Sequence, residues 1–107
     1  MSVVLAAAGC GGGGSDKGSP RPQARSRGDV TIAGFKFKPA TVSVRQGARV
    51  RFANRDSARH TATADSGGFD SGTLRKGGAR TVVFAKRGRF AYHCEFHRFM
   101  TGTVVVR

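Results

Sequence analysis

From Val30 onward the apolar residues recur at every second position, and this excludes a helical core. Val30 and Ile32, Val42 and Val44, and Val50 and Phe52 each alternate with polar or small neighbours, the period of a strand with one buried face. Residues 60–64, 79–84, 89–94 and 102–106 continue the pattern. Turn chemistry separates the segments at Gln46-Gly47, Asn54-Arg55-Asp56, Gly67-Gly68, Lys76-Gly77-Gly78 and Arg87-Gly88. About seven to eight short strands so punctuated predict an all-β Greek-key sandwich or barrel, with no helix. Phe35, Phe37, Phe52, Phe84 and Phe90 are the expected core filling, because each ring buries a large area in a domain this small.

The alternation begins near Asp29, so the folded domain is expected over 29–107. Residues 11–28 are Gly, Ser, Pro and Arg with almost nothing to bury; they are expected to form a flexible tether. Residues 1–10 end in a short apolar run, small residues and Cys10. That arrangement resembles the end of a bacterial lipoprotein signal segment, truncated at its start. It implies a lipid on Cys10, membrane anchoring through it, and a periplasmic or other extracytoplasmic place in the cell envelope.

Charge narrows the partners. Lys and Arg number 19 against 6 Asp and Glu, a formal net charge of +13. Such a surface steers toward acidic partners. Nucleic acid is not expected, because neither a recognition helix nor a stacking motif accompanies the charge. No run approaches the roughly 18 apolar residues of a spanning helix.

The chemistry gathers near the C-terminus, where Cys94, His97 and Met100 follow one another at intervals of three, with His60 upstream. Thiolate, imidazole and thioether together suit both copper oxidation states, soft sulfur favouring Cu(I) and nitrogen favouring Cu(II). Strand alternation places Phe90, Tyr92 and Cys94 on one face and His93 on the other. With Cys94 pointing inward, His93 is excluded as a ligand, and His60 and His97 remain. Zinc is disfavoured because structural zinc sites gather more cysteines and Met is a poor zinc ligand. A haem attachment would need Cys-x-x-Cys-His, which the chain lacks. A Cys10–Cys94 disulfide would consume the thiolate, so the two cysteines are read as serving separate ends.

Phe35-Lys36-Phe37-Lys38-Pro39, Val42-Ser43-Val44-Arg45-Gln46-Gly47, Val50-Arg51-Phe52-Ala53-Asn54, His60-Thr61 and Tyr92-His93-Cys94 together resemble the cupredoxin superfamily over about residues 29–107. The short loop from Cys94 to Met100 is similar to that of amicyanin and small plastocyanin-like domains. The resemblance implies one type 1 copper ion, ligands at His60, Cys94, His97 and Met100, and a carrier role. Thr61 stands where plastocyanin and azurin carry Asn, implying a looser latch on the cysteine loop through its N–H and hydroxyl. Phe96 replaces a Pro between the Cys and the His, adding an N–H that is expected to reach the Cys94 sulfur. Arg98 stands where amicyanin has Pro, which removes a restraint from the loop.

A one-electron carrier is therefore the leading expectation, and a copper delivery or storage protein of the envelope is the alternative. An enzyme is not expected, because a second copper centre needs several more His and these 107 residues hold three. Phe96 and Phe99 are expected to form an apolar docking collar around His97 for a redox partner. His93 is read as a surface residue that offers a second electron port.

Overall fold

The computed structural model describes residues 25–107, and these form seven strands with no helix among the described residues. The expected signal segment and Cys10 lie outside the described residues, as does the expected tether up to residue 24. The strands are β1 (Arg25–Ala33), β2 (Lys36–Lys38), β3 (Thr41–Asn54), β4 (Thr63–Ala64), β5 (Ala79–Phe84), β6 (Gly88–His93) and β7 (Thr101–Val106). Their hydrogen-bonded order is β2-β1-β3-β7-β6-β4, and β5 pairs with the far half of β3. The sheet is mixed: β1 and β7 both run parallel to β3, and the other pairings are antiparallel.

Strand β3 organises the fold because it changes partners along its length. Thr41 to Val44 pair with Thr103 to Val106 of β7, whereas Ala48 to Ala53 pair with β5. Gln46-Gly47, expected as a turn between two strands, is instead a bend within one. Gly47 takes the bend at φ 87°, a conformation that costs a side-chain-bearing residue. The two halves thereby face each other across one core. Val30, Ile32, Val50 and Phe52 meet Val44, Tyr92, Val104 and Val106, all essentially buried.

The domain also starts earlier than Asp29. Arg27 and Gly28 pair with Arg49 and Val50, so part of the segment expected as tether is strand. Gly28 looks like linker chemistry, yet here it admits a neighbour. A Cβ at that position would stand 3.0 Å from Val42 Cγ2 and 3.2 Å from Val44 Cγ1. Residues 60–64 likewise differ from expectation, because only Thr63–Ala64 is strand and His60 makes a single bridge to Leu74.

Phe37, Phe52 and Phe84 fill the core as expected, and Phe90 packs against it. Phe69 joins them, stacked on Phe52 with centroids 5.9 Å apart. Phe35 does not. It is 41% exposed, because its backbone lies at φ 59° in the tight β1–β2 turn and its ring is carried to the end of the sandwich.

Candidate metal centre

The loops at that end of the sandwich bring three donors together. Cys94 directly follows β6 and is wholly buried, its thiol free. The chain then folds back on itself: Met100 N–H donates to the His97 carbonyl at 2.9 Å, and Cys94 N–H to the Met100 carbonyl at 3.2 Å. The loop is short enough that Cys94, His97 and Met100 share one turn of chain. His60 arrives from the opposite side, fixed by paired backbone bonds with Leu74 of 3.1 and 2.8 Å.

His60 Nδ1 lies 3.6 Å from Cys94 Sγ, and His97 Nδ1 lies 3.8 Å from it. Ligand atoms of all three residues fall within 4.8 Å of one another. His60 and Cys94 are fully buried, Met100 is buried as well, and His97 is partly exposed. His93 is not part of this cluster.

Three layers of contact hold the donors. Thr61 N–H donates to Cys94 Sγ at 3.4 Å, while the Thr61 hydroxyl accepts the Glu95 N–H at 2.9 Å. One residue thus latches both the sulfur and the start of the ligand loop. Asn54, also buried, donates from Nδ2 to the carbonyls of Ala58 and Leu74 and accepts the Asp56 N–H. It thereby ties together the loop that delivers His60. Asp56 itself accepts from His60 Nε2 at 2.9 Å. Burial alone would push the Asp56 carboxyl up, but hydrogen bonds from Phe35 N–H, Gly34 N–H and His60 together hold it below the usual carboxylate range.

Phe35 covers the two histidines. Its ring lies edge-on to His60 and His97, at centroid distances of 5.3 and 5.0 Å, and stacks on Phe99 at 6.4 Å. Phe99 is 72% exposed, so an aromatic surface surrounds the His97 edge.

Two sequence expectations change here. The one backbone N–H that reaches the Cys94 sulfur among the described residues is that of Thr61, not that of Phe96. Phe96 is half-exposed, with the Arg59 guanidinium 4.7 Å from its ring centroid. His93 is not an ordinary surface residue either. Its Nδ1 meets Asp65 at 2.6 Å and its Nε2 meets Glu95 at 2.9 Å, leaving the residue 8% exposed. The bonds to Asp65 and Glu95 raise its pKa against the opposing effects of burial and Arg98.

By sequence Asn54 and Asp56 read as turn residues and Phe35 as core filling, and their contacts with the donors emerge from the fold. The available signal was Asp56 itself, a carboxylate four residues before a candidate ligand histidine.

The donor set fits copper. His60 Nε2 is engaged by Asp56, which leaves Nδ1 as the nitrogen directed at the sulfur, and the thiol, two imidazoles and a buried thioether match a copper site better than a zinc one. The cluster can hold one copper ion.

Comparison with known proteins agrees with this architecture. Amicyanin from Paracoccus denitrificans is 32% identical over 82 residues, which are 72% of this chain and 63% of that protein. The chain thus spans about 63% of the length of that curated relative. The Cu(I) form of an amicyanin variant superposes with a TM-score of 0.70 at 31% identity, covering 79% of this chain and 86% of the other. A purple cupredoxin from Nitrosopumilus maritimus gives 0.68 at 26% identity, over 75% of this chain and 99% of the other. The family model for the cupredoxin-like domain matches residues 4–106, and the chain belongs to that family.

Proposed function

We propose that this protein is a one-electron carrier that uses one type 1 copper ion, held by His60, Cys94 and His97 with Met100 as a weak fourth ligand. When bound, copper supplies a site that alternates between Cu(I) and Cu(II) with little rearrangement. The observation that carries the reading is the convergence of two imidazole nitrogens on one buried thiol, at 3.6 and 3.8 Å.

The chain's own part is to exclude water and to fix the donors. Burial of Cys94, His60 and Met100 keeps solvent from the sulfur, and Thr61 N–H stabilises negative charge on it. His97 is the donor residue nearest solvent, and Phe35, Phe96 and Phe99 give its surroundings an apolar face suited to brief docking of a redox partner. The basic surface favours a partner with an acidic rim. His93, clamped at the neighbouring surface, is the second proposed port. A non-enzymatic role follows from histidine supply, since His93 is the one histidine left over in these 107 residues. The proposed setting is the bacterial cell envelope, with Cys10 as the lipid attachment point.

Visible and EPR spectra after addition of Cu(II) test the reading. An intense thiolate-to-copper band with narrow hyperfine splitting, lost in Cys94→Ser, is expected. A pale, tetragonal Cu(II) spectrum would refute the carrier role and favour copper delivery or storage.

A further inference from the structure

We propose that the outer face of strands β1, β3 and β5, centred on Arg27, Arg49 and Arg51, is a docking surface for the anionic headgroups of a phospholipid bilayer. The choice of a bilayer rests on the cell-envelope setting proposed above, whereas the face itself is independent of copper.

Strand pairing builds this face row by row. Val30, Ile32, Val50 and Phe52 turn into the core, so the residues between them turn outward. Arg27 stands opposite Arg49, which stands opposite Val83. In the next row Asp29 stands opposite Arg51, which stands opposite Thr81. Further along β1, Thr31 meets Lys38 and Ala33 meets Lys36. Arg27, Arg49, Arg51, Lys36 and Lys38 are all exposed, and they share these rows with a single acid, Asp29. On the other side of the sandwich, β6 and β7 together carry one Lys or Arg, Arg89. The two sheet faces therefore differ sharply in charge.

Like charges directly opposite one another weaken a sheet, and Arg stays charged at any ordinary pH. Yet none of Arg27, Arg49 and Arg51 forms an ion pair with another described residue. A groove of about 570 Å³ lies between them, lined also by Ser26, Asp29 and Thr81. A headgroup phosphate has room there among guanidinium and hydroxyl donors.

The make-up of the face selects the occupant. Val83 is its one large exposed apolar side chain, and no aromatic ring lies in these rows. Protein interfaces are anchored by buried aromatic or apolar side chains, and single-stranded nucleic acid stacks on aromatic rings. A layer of anionic headgroups needs only charge, at roughly fivefold in affinity for each Lys or Arg. With this face on the bilayer the strands lie along the surface. His97, at the end of the sandwich, then faces sideways toward partners held in the same membrane.

The test uses the full chain as Cys10→Ser, free of copper, so that neither an attached lipid nor a metal contributes. At low salt it should sediment with equimolar phosphatidylglycerol–phosphatidylcholine vesicles but not with phosphatidylcholine alone, and salt should release it. Arg27→Gln, Arg49→Gln and Arg51→Gln together should weaken binding roughly a hundredfold. Arg75→Gln, Lys86→Gln and Arg89→Gln, which remove the same charge elsewhere, should cost roughly tenfold at most. Equal losses from the two triple variants, or no binding to the anionic vesicles, overturns the proposal. So does tighter binding to polyglutamate or single-stranded DNA than to vesicles of equal total charge. Should the first triple variant not fold, bicelles with nitroxide-labelled headgroups decide on the unsubstituted face. Amides of Arg49, Arg51 and Thr81 should broaden while those of Ala91 and Thr103 stay sharp, and the reverse pattern refutes the docking. An unlipidated Cys10 in the expressed precursor would remove the anchor and leave the vesicle result standing.

Discussion

Gly102→Ala tests how tightly the strand beside the ligand loop is packed. Gly102 lies directly opposite Tyr92 across the β6–β7 pair. A Cβ there would stand 2.5 Å from both Tyr92 Cζ and its hydroxyl oxygen, and 3.0 Å from Cε1. Real Cβ atoms do not approach other atoms so closely, so either the ring or the strand must move. The ring has little freedom, because Phe37 and Phe52 pack against it at centroid distances of 4.7 and 5.4 Å. Overpacking in a well-filled core costs about 1–3 kcal/mol, and three close atoms on a trapped ring put this site at the upper end. For a domain of this size that corresponds to a fall in unfolding midpoint of roughly 12–24 °C. Thermal denaturation of the metal-free protein followed by circular dichroism measures it. The Tyr92 hydroxyl is buried without a hydrogen-bond partner, and burial pushes the phenol's pKa up, so Tyr92→Phe alone should be neutral or slightly stabilising. In that background Gly102→Ala should lose less, since one of the closest atoms is gone. A Gly102→Ala variant within about 1 kcal/mol of the parent, below the range for overpacking, would show that the ring has room to retreat.

Three further outcomes are expected. Met100→Leu should keep the blue colour and raise the reduction potential, since loss of a thioether donor weakens Cu(II) more than Cu(I); voltammetry reads this, and loss of the colour would make Met100 essential to the geometry. Phe96→Pro should leave the potential nearly unchanged, because Thr61 supplies the N–H at the sulfur; a clear fall would place the Phe96 N–H there after all. His93, raised in pKa by Asp65 and Glu95, should stabilise the metal-free fold most below the unfolded histidine pKa of about 6.5, and that contribution should fade as pH rises through the raised folded value. The stability gap between parent and His93→Gln, measured by urea titration at low salt, should shrink accordingly, and a gap that widens with pH would contradict the ion-pair account.

What the sequence made legible was local. Alternation marks β5, β6 and β7 because each strand's buried face is written in its own residues. Cys94, His97 and Met100 announce a metal because their spacing lies within one loop. The missing parts depend on distant partners. Arg25 to Gly28 look like linker until β3 is beside them, for strand pairing satisfies their backbone and Gly28 matters only where Val42 and Val44 approach. Asp56 is four residues from His60, yet its other partners are Gly34 and Phe35, more than 20 positions away. Phe35 carries the composition of a core residue, and only the backbone turn reveals that it faces outward. Phe96 carries an N–H where a Pro would not, but the absence of Pro does not fix where that N–H points.

The partner exchange along β3 has a consequence for connectivity. Val44 is opposite Arg25 on one side and Val106 on the other, so the first and last strands of the described fold end on the same residue. Both ends lie at the pole away from the donors, for β1 travels some 25 Å from Arg25 before it reaches the Gly34–Phe35 turn. Neighbouring ends at a surface permit insertion into a host loop and circular permutation. The described fold thus enters and leaves its sheet beside one residue, Val44, and the His97 face stays clear of both strand ends.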